Sequence, residues 1–170
     1  MAEKLAVQRS RCHSLLSWSE GHCQLLDLLQ FPLSIPCRDL DATQRCYVEG
    51  LGCIAGRRSR QALILALGGH QLVAQLLLAD RLEPEQPGIY PRDFGLVFAT
   101  AQPWQELLQR TRARRFGVEP KCRFAGELLE HHTFFLIDPC GNWQEFKHYL
   151  DPEAALGRRE CRQMGDPELR

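Results

Sequence analysis

The chain has 170 residues, and its 21 Lys and Arg balance 21 Asp and Glu, so the formal net charge is zero. That balance argues against a general nucleic-acid binder, which carries a strongly basic domain, and against a polybasic membrane anchor. Hydrophobic residues make up 44% and charged residues 25%, a globular mix at a length that fits one domain or two small modules sharing a core. No run approaches the roughly 18 uninterrupted apolar residues of a spanning helix, and the first residues lack a cationic stretch followed by an apolar one. The expectation is a cytoplasmic protein with no nucleic-acid and no membrane partner.

In chain order, residues 1–29 are rich in leucine and read as a helical extension broken near Gly21. A strand is expected over 31–36, its prolines implying a sheet edge. Asp39 or Asp41 can cap a helix that runs to Glu49 and stops at Gly50 to Gly52. Strands follow at 54–58, 61–67 and 70–77, with turns at 58–60 and at Gly68-Gly69. A proline-rich linker over 80–91 ends this first module (31–79). The order then repeats over a second module (92–150): a strand at 94–100, a helix at 103–114 with Pro103 in its first turn, and strands at 118–124, 132–137 and 143–150. Asp138, Pro139, Gly141 and Asn142 mark the last turn, and 151–170 is a polar tail.

The eight cysteines contain no C-x-x-C pair. Without an export signal they are expected to stay reduced and to serve as small apolar fillers. Cys12-His13 and His22-Cys23 are mirrored, but their gap matches no familiar zinc finger. There is no phosphate-cradling glycine loop and no nucleophile elbow.

Two βαβββ halves joined by a proline-rich linker resemble the plan of the vicinal oxygen chelate superfamily, the glyoxalase, bleomycin-resistance and extradiol-dioxygenase group. Ile35-Pro-Cys-Arg-Asp-Leu-Asp41, then Tyr47 and Leu51-Gly52, is similar to that family's strand, helix start and following turn. Phe134-Phe-Leu-Ile-Asp-Pro-Cys-Gly-Asn-Trp-Gln-Glu-Phe146 resembles its F-x-D-P-x-G-N-x-x-E-F ending. The resemblance covers about residues 31–150 and implies an α+β fold, in which two βαβββ modules form an open, curved mixed-sheet barrel. It also implies a divalent metal that chelates adjacent oxygens of a small organic substrate, and a homodimer by analogy.

Carried over residue by residue, the family's last-strand carboxylate falls at Glu145, the candidate catalytic residue and first metal ligand. Its second-half histidine falls at Asp93, an oxygen donor that shifts preference toward Mg, Mn or Ca. A further histidine of many relatives is replaced by Gln75. The first-strand histidine falls at Pro32, which has no donor atom, so the ligand set is incomplete. Ser34, His70, Phe124, Trp143 and Lys147 are the candidate substrate-binding residues. Strand alternation puts Trp143, Glu145, Lys147 and Tyr149 on one face, where Glu145 can also simply pair with Lys147. His131 and His132 must point to opposite faces. The implied function is a glyoxalase- or dioxygenase-like protein acting on or binding a small molecule, with a metal-dependent lyase, isomerase or dioxygenase-like activity if it is an enzyme. The alternative is a non-catalytic, bleomycin-resistance-like binder without metal.

Overall fold

The computed structural model describes residues 30–77, 86–114 and 119–156, and Phe31–Arg170 forms one compact unit. The expected N-terminal extension (1–29) and most of the C-terminal tail lie outside the described residues. The first half contains β1 (Pro32–Cys37), α1 (Leu40–Gln44), β2 (Ile54–Arg58), β3 (Ala62–Leu67) and β4 (His70–Leu76). The second contains β5 (Phe94–Phe98), α2 (Ala101–Ala113), β6 (Lys121–Arg123), β7 (His131–Ile137) and β8 (Trp143–Tyr149). The sheets have the orders β1-β4-β3-β2 and β5-β8-β7-β6. The β1–β4 and β5–β8 pairs are parallel and the rest antiparallel. This is the α+β, paired-βαβββ architecture that the sequence predicts, with two open mixed sheets.

Local chemistry explains the boundaries. Asp39 caps α1 by accepting from the amides of Asp41 and Ala42 at 2.8 and 2.9 Å. The helix then widens into a π-type turn over Arg45–Gly50. Leu67 pairs with His70, so Gly68 and Gly69, both at positive φ, make a two-residue hairpin of the kind that fits strand twist. In the second half, Thr100 precedes α2 as its N-cap, which ends β5 at Phe98 rather than at residue 100. Phe124 sits at φ 54 and leaves the β region, so β6 stops at Arg123.

Alternation then builds the core. Leu63, Leu65, Leu67, Leu72 and Ala74 from the first sheet join Phe134, Leu136 and Phe146 from the second, with Tyr47 and Trp104 supplied by the helical segments. Phe134 and Phe146 stack at 5.1 Å, and the Trp104 indole N–H donates to the Phe146 carbonyl at 2.9 Å.

A buried polar hub ties the halves together. The Asp138 carboxylate accepts from Tyr47 Oη, from the amides of Cys140 and Asn142, and from Asn142 Nδ2, all at 2.8–3.0 Å. Tyr47 Oη in turn accepts from Gln144 Nε2 at 3.0 Å. Burial first, and the Asp138 charge second, push the Tyr47 phenol well above its ordinary range, so it stays a donor. The Asp-Pro-Cys-Gly-Asn turn is therefore a structural joint. Among the described residues no helix is long and apolar enough to cross a membrane.

Candidate functional site

Strand register sorts the side chains that the core does not use. On the first sheet, Ser34 lies opposite Val73, which lies opposite Ile64. Gln75 shares this face, and its Nε2 donates to Ser34 Oγ at 3.3 Å. On the second sheet Gly95, Glu145 and Phe135 are neighbours across three strands, and so are Val97, Lys147 and Thr133. Gly95 is required here, because a Cβ at that position would overlap the backbone carbonyl of Glu145.

Glu145 is the centre of the second face. Its side chain is only 11% exposed. Thr133 Oγ1 donates to Oε1 at 2.8 Å, and Lys147 Nζ lies 2.7 Å from Oε2. Burial pulls the Lys147 pKa down, but its hydrogen bond and attraction to Glu145 outweigh this and leave it raised. The Asp93 carboxyl is raised, by partial desolvation first and then by the Glu145 charge, with Lys147 opposing. His131 sits buried on the same face, its ring 4.7 Å from Tyr149, with Nδ1 2.8 Å from the Leu129 carbonyl. Burial holds its pKa below the ordinary imidazole range.

A cavity of about 330 Å³ lies where β1, the edge of its sheet among the described residues, meets the start of β5 and the β7–β8 turn. Leu33, Ile35, Phe94 and Trp143 give it apolar walls, and Ser34, Arg38, Arg92 and Asp93 supply polar groups. Cys140 also borders it. That thiol is held below the usual cysteine range by a hydrogen bond from Cys37, and by contacts to Thr43 and the Arg38 amide.

The structure thus brings Ser34, Asp93 and Trp143 to one cavity. Glu145 and Lys147 follow Trp143 on the same face of β8. Gln75 reaches that region only through Ser34. His70 lies apart, exposed, with its Nδ1 accepting from the Phe31 amide at 3.2 Å. Phe124 does not line the cavity but lies toward the Glu145 face, its ring 5.8 Å from that of His131. Sequence reasoning did not single out Arg38 or Arg92 as lining groups. Their neighbours Asp39 and Asp93 carried the only local signal.

The family resemblance implies a divalent metal, and the donors can be tested for fit. Asp93 would add a second carboxylate near Glu145, but an ion there would meet an ammonium already 2.7 Å from the Glu145 carboxylate, an amide at Gln75 engaged with Ser34, and no donor atom on the Pro32 side chain. These residues do not fit a divalent cation as they stand.

No protein-family model and no curated protein matches the chain. Among solved structures it is 39% identical to a glyoxalase/bleomycin resistance protein/dioxygenase from Alicyclobacillus acidocaldarius. That match covers 74% of this chain and 94% of the other, with a TM-score of 0.67. A lactoylglutathione lyase from Agrobacterium tumefaciens shares 18% identity over 71% of this chain and 92% of its own, at TM-score 0.54. The fosfomycin resistance protein FosX from Listeria monocytogenes shares 13% identity over 73% and 94%, at TM-score 0.56. The last two show likeness of fold alone.

Proposed function

Since the chain belongs to the glyoxalase/bleomycin resistance protein/dioxygenase family, we propose that it binds a small organic molecule in the cavity between β1, β5 and the β7–β8 turn, without a metal at Glu145. The cavity carries this reading. At about 330 Å³ it has the size of a small-ligand site, with apolar walls and a few polar groups to fix orientation. The guanidinium groups of Arg38 and Arg92 suit a ligand carboxylate or other oxyanion, and Trp143 offers a flat apolar wall. The Glu145–Lys147 pair supports the metal-free form, because Lys147 supplies the positive charge that a metal would bring.

A metal-dependent lyase, isomerase or dioxygenase-like activity is the second reading. It is favoured by the Asp93 carboxyl, raised by burial and then by the Glu145 charge, since a divalent cation would offset both causes.

The test is a thermal-shift screen of small carboxylates and aromatic acids against the full chain, with hits repeated in chelator. Binding retained in chelator and abolished by Ser34→Trp supports the proposal. Binding lost on chelation, and restored by a divalent ion in the native chain but not in Glu145→Ala, overturns it.

The reading includes a cytoplasmic setting, where thiols such as Cys46 and Cys53 stay reduced, and a homodimer. Ile54, Val97 and Ile137 are exposed on the faces that carry Ser34 and Glu145, and apolar surface of that kind favours association. Light scattering that gives a monomer mass at micromolar concentration would remove the dimer from the reading.

A further inference from the structure

The opposite face of the second sheet holds a cluster that the cavity does not use. Cys122 and His132 are direct partners in the β6–β7 ladder, which sets their side chains on one face with their Cβ atoms about 5 Å apart. Glu130 immediately precedes β7, and its carboxylate reaches the same cluster. Its Oε2 accepts the Gly126 amide at 2.8 Å, which leaves Oε1 facing the Cys122 thiol at 3.6 Å. The three donor atoms all lie within 4.8 Å of one another. The His132 ring lies against Trp104 with centroids 5.8 Å apart.

We propose that Cys122, Glu130 and His132 form a binding site for a zinc-class transition-metal ion, with solvent in the fourth position. Tetrahedral zinc, with Zn–S near 2.3 Å and Zn–O near 2.1 Å, sets sulfur and oxygen about 3.5 Å apart. The observed 3.6 Å between Cys122 and Glu130 already matches that edge. A side-chain rotation of His132 closes the third ligand. Thiolate and imidazole select zinc or cobalt over magnesium and calcium. The amide of Gly126 orients the carboxylate as an outer-shell partner. On binding, the Cys122 S–H bond breaks, its proton passes to solvent, and the sulfur lone pair forms the metal bond. The ion fastens the 124–130 loop, which contains the strained Phe124, across the β6–β7 hairpin. The site is independent of the ligand cavity, since it lies on the other face of the sheet from Glu145.

The experiment is a Co²⁺ titration of the metal-stripped full chain, read by the thiolate-to-cobalt charge-transfer band and by displacement with Zn²⁺. One equivalent of Co²⁺ should give the band. Cys122→Ser should abolish it, while a Cys12→Ser/Cys23→Ser control should keep it. His132→Asn and Glu130→Gln, the latter retaining an acceptor for Gly126, should each weaken binding by more than the roughly 10–100-fold that loss of an outer-shell partner costs. Unchanged melting of the metal-free variants shows that they fold. A band that survives Cys122→Ser, affinity unchanged in both His132→Asn and Glu130→Gln, or no stoichiometric band in the native chain overturns the proposal. Ligand binding in chelator tests the cavity separately.

Discussion

On the open face of the first sheet, β1, β3 and β4 carry only neutral side chains, among them Ser34, Ile64, Ala66, Val73 and Gln75. On the corresponding face of the second sheet, β7 and β8 carry His131, Glu145 and Lys147, with Asp93 at the head of β5. Both halves repeat one strand-and-helix plan and both bury their opposite faces in one core. The repeat is therefore a repeat of packing. Backbone pairing and apolar alternation constrain every strand, whereas the chemistry of an open face is free to diverge. The charged half should answer to charge-changing substitutions and to pH, and the neutral half should tolerate changes of the same size.

The largest effect should come from the joint that makes the comparison meaningful. Asp138→Ala removes the acceptor for four hydrogen bonds and leaves the buried Tyr47 O–H without an acceptor. A loss of about 3 kcal/mol or more is expected, read as a drop in urea midpoint. Tyr47→Phe removes one of those bonds together with its donor, and also the acceptor of the buried Gln144 Nε2, and should cost about 2 kcal/mol.

Next comes the ion pair. Lys147→Met strands a carboxylate that is 11% exposed, and a loss of about 2 kcal/mol at neutral pH is expected. The double variant Glu145→Gln/Lys147→Met should recover most of it, and a double-mutant cycle measures the coupling. The sign with pH follows from the raised Lys147 pKa. Its contribution is complete below the ordinary lysine value of about 10.5 and fades as pH rises through the higher folded value.

His131 should give a smaller, pH-dependent effect. Burial lowers its pKa, so the unfolded chain binds the proton more readily. Stability is then complete above about 6.5 and falls as pH drops from there toward the folded value. Urea midpoints measured from pH 8 to pH 5 should slope less in His131→Gln than in the native chain. An equal slope would remove His131 from the titrating groups of the second face.

The fold was legible in the sequence where local chemistry agreed with tertiary need. Gly68-Gly69 demanded a tight hairpin, Asp39 or Asp41 announced a helix start, and the alternation in 143–149 separated the face of Glu145 from that of Phe146. The Glu145–Lys147 pair was legible as well, since residues two apart on a strand share a face. Other features depend on where distant elements meet. Tyr47 reaches Asp138 only because the two modules share a core. Cys122 meets His132 through the register of a three-residue strand that ends where Phe124 turns to positive φ. Neither a composition count nor a period carries that information.

The smallest effect tests the neutral half directly. Gln75→Ala deletes an exposed hydrogen bond to Ser34 at 3.3 Å and nothing that the core uses. Exposed polar pairs of this kind exchange readily for water, so the change in stability should stay within about 0.5 kcal/mol. The same substitution frees the Ser34 hydroxyl on the cavity wall. It should therefore alter the affinity of a cavity ligand more than it alters the melting temperature of the unliganded chain. A stability loss above about 1 kcal/mol would mean that the first sheet hides an energetic role behind its neutral surface, and that the two faces differ less than their charges suggest.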